Sequence, residues 1–252
     1  MRRATRARRG VALMLVLWVL VILGGVAAAV TSSARGTADI TSNARARTVA
    51  RYAAESGIVA AVASLQQQLE AAGDDQSRRR ALLNDATQAL GDAAEVELGD
   101  AIVHTIMVDA TARIDVNAAP EEVLAAILTR SGDAITGANT ARAVRRHIDS
   151  IPGQAQLLQS LDEAAGLPGV DADVLRRAAP WLTVDSDGQV NRATAPPQVL
   201  RVARGSVVEE PSRVVLIARG WQRGHPLTHE VQAVYAVQGN RLAFVRMRER
   251  DL

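Results

Sequence analysis

The side chains with the clearest potential for metal chemistry lie close together near residue 185. Asp185 and Asp187 are separated by one residue, and Asn191 follows four residues later. Carboxylate and amide oxygens at such spacing are typical ligands of Ca²⁺. The stretch lacks the glutamate that completes the loop of an EF-hand. A weak Ca²⁺ site and a solvated acidic turn therefore both fit these residues, and no other cofactor is predicted.

The rest of the sequence contains no catalytic pattern. The chain has no cysteine, which excludes thiolate metal sites and cysteine nucleophiles. It has no G-x-S-x-G, no phosphate-binding loop and no HExxH. His225 and His229 are four residues apart, but Pro226 between them disfavours the helix that would align two ligands. We therefore predict no enzymatic activity and no small-molecule substrate.

The N-terminus indicates a different chemistry, that of processing at a membrane. Five arginines precede Gly10, and residues 11–30 contain no charge and no proline. A helix of twenty residues is about 30 Å long, which is the thickness of the hydrocarbon layer of a bilayer. Because arginines remain on the cytoplasmic side, the rest of the chain is predicted to lie across the membrane.

Three interpretations fit this stretch on its own. It could be a signal peptide that is cut after a small-residue site at 27–29. It could be a permanent single-pass anchor. It could also be a prepilin-type leader that is cut between Gly10 and Val11, so that the apolar helix stays on the mature protein. The first thirty residues leave all three open.

The charge balance argues against nucleic acid as a partner. The formal net charge of +2 includes the five leader arginines, so the remainder of the chain is slightly acidic. Residues 113–203 resemble helix-hairpin-helix modules in their Pro-Gly turns, but acids balance the arginines there. A DNA-binding module needs a basic surface, so we expect a module that contacts protein.

Periodicity predicts the elements around this module. Residues 31–70 continue the apolar helix as an amphipathic one, with Ile58, Val62, Leu65 and Leu69 on one face. Gly36 and Gly57 are weak points of that helix. The sequence then predicts a break at 72–75 and a short helix at 76–90. It predicts strands at 96–98, 101–108, 213–219, 230–237 and 242–247. The apolar face of the sheet is expected to pack against the amphipathic helix.

A sequence repeat marks the module at 113–203. The run from Ile114 to Leu124 returns 76 residues later, with Asp115 matched by Asn191 and Pro120 by Pro196. Proline suits the start of a helix, and Asp or Asn before it can accept bonds from free N–H groups. Between the copies, helices are predicted at 140–150, 154–166 and 171–182. The module is therefore expected to be all-helical.

These motifs together resemble a known family. The leader RRATRARRG, the apolar run VALMLVLWVLVIL and the segment AAESG at 53–57 are similar to the type IV pilin and pseudopilin superfamily. Adding DVNAAPEEVL and SLDEAAGLPGV, the chain resembles the minor pseudopilin K family of type II secretion systems. The resemblance implies an α+β fold in which a long N-terminal helix packs on a small antiparallel sheet with an inserted all-α domain.

The resemblance implies five domains. They are a leader (1–10), the membrane half of the long helix (11–30), its amphipathic half (31–70), an α/β body in two segments (71–112 and 204–252) and the inserted domain (113–203). The resemblance also implies that a prepilin peptidase cuts between Gly10 and Val11 and methylates the new amine of Val11. Mature position five is then Leu15. Most pilins carry glutamate there, whereas this family lacks it. A carboxylate in lipid costs a few kcal/mol unless it is paired, so leucine suits a subunit with no neighbour above it.

The resemblance further implies a role and partners. The family forms a tip complex with the minor pseudopilins I and J on the major pseudopilin, which primes assembly of the pseudopilus. The chain is accordingly expected in the inner membrane as a single-pass protein with a periplasmic body. A minor pilin of a type IV or DNA-uptake pilus is the alternative. One departure is Ala118, since the family's helix-start motif has Thr two residues before the proline; Thr194 keeps it in the second copy.

Overall fold

The computed structural model describes residues 5–88, 95–151, 155–203 and 207–252, with side chains described from Leu13 onward. The chain divides into two compact units after Thr48. The first unit is helical throughout its described part. The second unit, from Val49 to Leu252, contains the remainder of the same helix, an antiparallel sheet and a group of short helices.

One helix, α1, extends from Thr5 to Ala72 without a break. Its first part has the length and composition of a membrane span. From Leu13 to Val30 its large apolar side chains are exposed, including Leu15 and Trp18. Exposed apolar side chains in such number favour lipid or neighbouring helices over water. The helix ends at Ala72, and the next residue, Gly73, has a positive φ of 58°, which suits glycine.

The main sheet has five antiparallel strands. Helix α2 (Gln76–Gln88) precedes β1 (Val96–Leu98) and β2 (Ala101–Asp109). The order across the sheet is β1, β2, β7, β8 and β9, and the last three are Arg213–Gln222, Thr228–Gln238 and Arg241–Asp251. The predicted hairpin turn between the last two strands is confirmed, with Gly239 at a φ of 60°. The predicted α+β, pilin-like architecture is likewise confirmed.

Helix α1 packs closely on one face of this sheet. Small side chains form the contact, in which Ala53, Ala54 and Ile58 meet residues of β2, β7 and β8. Gly57 is part of the same contact, because a Cβ there would lie 2.6 Å from Val103 Cγ2. A Cβ at Gly220 would collide with the backbone of α1 itself. The alanine-rich, aromatic-poor composition thus allows the helix to approach the sheet, and Gly57 is a packing position.

The insert interrupts the sheet between two neighbouring strands. Strand β2 ends at Asp109 and β7 begins at Arg213, although Asp109 and Val214 are paired in the sheet. The strands and α-helices described between them are β3 (Ile114–Asp115), α3 (Glu121–Thr129), α4 (Ala134–Ile148), α5 (Leu161–Ala165), α6 (Ala172–Ala178), β4 (Leu182–Thr183), β5 (Val190–Asn191), α7 (Pro197–Val202) and β6 (Val207–Val208). The predicted all-helical insert therefore contains short strands in addition to its helices. The buried residues of its apolar core, which include Leu124, Ile127 and Leu158, all come from the insert.

Three helix boundaries in the insert differ from the prediction. The helix predicted at 140–150 begins at Ala134, because the Asp133 side chain accepts from the N–H groups of Ile135 and Thr136. Of the helix predicted at 154–166, residue 154 lies outside the described residues, and the described part is helical only at Leu161–Ala165. The helix predicted at 171–182 ends at Ala178, and a single 3₁₀ turn follows.

The shortened helix has a tertiary cause. The side-chain amide of Asn117 bonds to both the N–H and the C=O of Leu158, at 2.8 and 3.0 Å. These two bonds hold the backbone at Leu158 outside a helix, and the Leu158 side chain is completely buried. Ser160 then caps the helix that follows, by accepting from the N–H of Glu163.

Candidate functional site

The two copies of the sequence repeat have the same local structure. Each begins with a two-residue strand that forms a parallel bridge, β3 with β4 and β5 with β6. In each copy the side chain that starts the turn accepts from the N–H two residues ahead, at 2.8 Å for Asp115 and 3.1 Å for Asn191. The proline then precedes a helix, α3 or α7, without a side-chain cap. The repeated sequence therefore encodes a repeated strand, turn and helix.

The second copy is bonded to the end of β2 through a buried carboxylate. Asp109 accepts from the Asn191 side-chain amide at 2.8 Å and from the hydroxyl of Thr194. It also accepts from the N–H and the hydroxyl of Thr111. Asn84 of α2 completes the network by accepting from Asn191 at 3.0 Å. Thr194 thus fixes the insert to the sheet, and Ala118 cannot do the same in the first copy.

The first copy depends on a buried carboxylate of its own. Asp115 is 3% exposed and accepts from the N–H groups of Asn117, Ala118 and Ser186. Burial raises the pKa of Asp115 to about 6, since loss of water outweighs these three bonds. The nearby charge of Asp185 raises this pKa further. The bond to Ser186 ties the first turn to the segment that carries the predicted Ca²⁺ ligands.

The turn at Asp185 is not a solvated one, because two arginines of β9 donate hydrogen bonds to the Asp185 carboxylate. Oδ1 accepts from Arg246, and Oδ2 accepts from Arg248 at 2.7 Å. Arg246 also donates to the C=O of Val184. Bonds of this kind, from guanidinium to carboxylate in a largely buried place, are among the stronger polar contacts in proteins. Asp185 therefore clamps the insert onto the sheet.

A second carboxylate, on the face of the sheet that carries Arg246 and Arg248, is completely buried. Glu230 of β8 is 0% exposed and accepts from Arg219 at 2.6 Å, Gln232 at 2.7 Å and Arg250 at 2.8 Å. Burial by itself raises the pKa of Glu230. The bonds from Arg219, Gln232 and Arg250 outweigh that effect, so the pKa lies below its usual value.

The arginines of β9 form a row on one face of the sheet, and this arginine row was not predicted from the sequence, although the spacing of its residues indicates it. Arg246, Arg248 and Arg250 alternate along β9, and this spacing places them on one face of a strand. Their strand partners are Val234, Gln232 and Glu230, on the face of the sheet opposite α1. The period-two pattern could have been found in the sequence. The position of Asp185 beside it could not, since 61 residues separate it from Arg246.

The predicted Ca²⁺ ligands have different surroundings in the structure. Asp185 is bound by arginines, Asp187 is exposed and accepts from the N–H of Gln189, and Asn191 bonds to Asp109 and Asn84. Within residues 5–88, 95–151, 155–203 and 207–252 no group of three or more His, Cys, Asp or Glu is arranged to hold a metal ion. The Ca²⁺ site remains a sequence prediction without a cluster to support it.

The predicted processing residues lie in α1. Gly10 and Val11 are helical, but their side chains fall outside the described ones, which begin at Leu13. Leu15 is 63% exposed among other apolar side chains of the helix. Cleavage and methylation at Gly10 and Val11 thus remain predictions.

A long N-terminal helix, an antiparallel sheet that covers its second part and an insert between β2 and β7 define a pilin-like fold with an added domain. Among solved structures, the chain matches a chain of the GspK-GspI-GspJ complex of the type 2 secretion system from enterotoxigenic Escherichia coli. The TM-score is 0.52 at 13% sequence identity, over 77% of this chain and 99% of that chain. No protein-family model and no curated protein sequence matches the chain. The resemblance to pseudopilin K is confirmed at the level of the fold.

Proposed function

We propose that this protein is a minor pseudopilin of a type II secretion system, which caps the tip of the pseudopilus and helps to initiate its assembly. The observation that carries the proposal is the fold shared with a chain of the GspK-GspI-GspJ complex. The position of the insert supports it further. Val214, at the start of β7, packs with Leu65 and Leu69 near the C-terminal end of α1, so the insert leaves the sheet at that end.

The proposed mechanism is one of assembly, without catalysis. The apolar part of α1 lies in the inner membrane and against the helices of neighbouring subunits. The sheet and the insert contact the minor pseudopilins I and J and, through them, the major pseudopilin. The bulk of the insert prevents a further subunit from docking above it. Leu15 agrees with this position, because a tip subunit has no neighbour whose amine could pair with a carboxylate in lipid.

Processing is part of the same proposal. A prepilin peptidase cuts between Gly10 and Val11 and methylates Val11. The body, from Val49 onward, then lies in the periplasm, where folded proteins enter the secretion path. Nucleic acid and small molecules have no part in this role.

The test is co-purification and assembly in cells that make the pseudopilins. The full chain is expected to co-purify with pseudopilins I and J and to initiate pseudopili. A variant without residues 113–203 should still enter the membrane and lose tip assembly, whereas Asp187→Asn, an exposed change in the insert, should behave as wild type. Unchanged initiation and unchanged pseudopilus length after the deletion would refute the capping role.

A further inference from the structure

The outer strand β9 presents a long open edge. It has eleven residues, about 35 Å of extended chain, and β8 is its only strand partner in the part of the chain that the structure describes. The opposite edge of the sheet is β1, with three residues. At the hairpin end the Gln66 side chain accepts from the N–H of Leu242 at 3.0 Å. No described strand covers the remainder of the β9 edge, so its outward backbone groups are open to pairing.

The first part of β9 is apolar and exposed on the α1 side, whereas Glu249 and Asp251, farther along the same face, pair with Arg51 and His229. Phe244 is 60% exposed and Met247 is 47% exposed, although their strand partners Tyr235 and Ala233 belong to the contact with α1. The ring of Phe244 meets that of Tyr235 edge-on, with centroids 5.7 Å apart. Phe244 and Met247 thus extend the packed surface between the helix and the sheet. No strand in the described structure lies beyond them.

The other face of β9 carries an excess of positive charge. Arg246 and Arg248 share Asp185, while Arg250 shares Glu230 with Arg219. The two carboxylates therefore balance half of the charge of these four guanidinium groups. Arg250 keeps 55% of its side chain exposed. A strand placed beside β9 with acidic side chains on this face would meet unbalanced arginines at the cross-strand distance at which opposite charges attract.

We propose that β9 accepts an extended segment of another protein as a sixth strand, with acidic side chains along the arginine row and apolar ones over Phe244 and Met247. This mode of binding uses main-chain hydrogen bonds for affinity and alternate side chains for specificity. A second copy of the chain is the disfavoured occupant. Antiparallel pairing of two β9 strands sets one arginine row against the other, and like charges directly opposite destabilise a sheet. The inference does not depend on the role in secretion.

The full chain in detergent micelles can test this directly. Because the sequence has no cysteine, Met247→Cys provides a single thiol at the edge. The probe is an eleven-residue peptide that alternates glutamate and valine, with cysteine in place of the central valine. A matched peptide has lysine at every glutamate position. Ile135→Cys, at a residue 75% exposed in the insert, is the matched protein control.

With dissolved oxygen as the oxidant, the acidic peptide is expected to form a disulfide with Met247→Cys in at least about tenfold higher yield than the lysine peptide, since several cross-strand charge pairs change sign. It should also exceed its own yield with Ile135→Cys by a similar factor. Equal yields from the two peptides, or equal yields at the two positions, would overturn the proposal. A Met247→Cys homodimer as the main product would assign the edge to a second copy and overturn it as well.

Discussion

Replacing Asp115 with asparagine should change how the stability of this protein depends on pH. The equivalent residue in the second copy of the repeat is Asn191, so the turn accommodates an amide there. The new side chain would keep an oxygen that accepts from the N–H groups of Asn117 and Ala118. It would lose the bond from Ser186, which the second carboxylate oxygen accepts at 2.8 Å. Above all, the substitution would remove a buried group that titrates.

The magnitude follows from the pKa of Asp115, which burial raises from 3.8 to about 6. The folded state then binds more protons than the unfolded state between about pH 4 and 6, so the free energy of unfolding falls as pH rises through this window. A difference of about two pH units at about 1.4 kcal/mol each corresponds to about 3 kcal/mol. The wild type is expected to lose this amount from about pH 4 to pH 7 relative to Asp115→Asn.

The assay is urea unfolding of the full chain in micelles at several pH values, followed by tryptophan fluorescence, to which Trp181, packed against the core of the insert, contributes. Asp187→Asn, an exposed change nearby, is the matched control and should follow the pH profile of the wild type. Taking the difference between wild type and Asp115→Asn removes the contribution of titrating groups that do not interact with Asp115. Parallel pH profiles for these two proteins would refute the assignment of a buried carboxylate with a raised pKa to Asp115.

Three other substitutions have defined outcomes. Gly220→Ala should lower the unfolding free energy by about 1–3 kcal/mol in denaturant titrations, since its methyl meets the backbone of α1, whereas Gly36→Ala meets nothing within 4 Å and should not. Asp185→Asn should loosen the insert and increase hydrogen exchange there, because it leaves Arg246 without its carboxylate; unchanged exchange would contradict the clamp. Glu230→Gln should remove the stability that the wild type loses as pH falls through the lowered pKa of Glu230, and an unaltered acid limb would count against that pairing.

The elements with strong periodicity could be predicted from the sequence. The long helix, the strands at the C-terminus and the hairpin turn at 238–240 all follow from spacing and turn chemistry, and the structure has them. The repeat could also be found by comparison of the chain with itself, and its two copies adopt one local structure. These features depend on residues close in sequence, whose preferences act together.

Features that depend on distant contacts could not be predicted. Asn117 holds Leu158 out of a helix from 41 residues away, and Asp185 meets the arginines of β9 across 61 and 63 residues. Gly57 was interpreted as a weak point of α1, because a sequence does not show that Val103 will lie against it. In each case a tertiary contact overrides or explains a local preference.

The measurement that tests the central claim most directly is the mass and sequence of the mature N-terminus of the protein, isolated from cells that contain a prepilin peptidase. A pseudopilin is expected to begin at Val11 with a methylated amine, and to retain the apolar part of α1. Substitution of Gly10 should leave the leader attached. A mature chain that begins near Val30, after the apolar segment, would contradict the account.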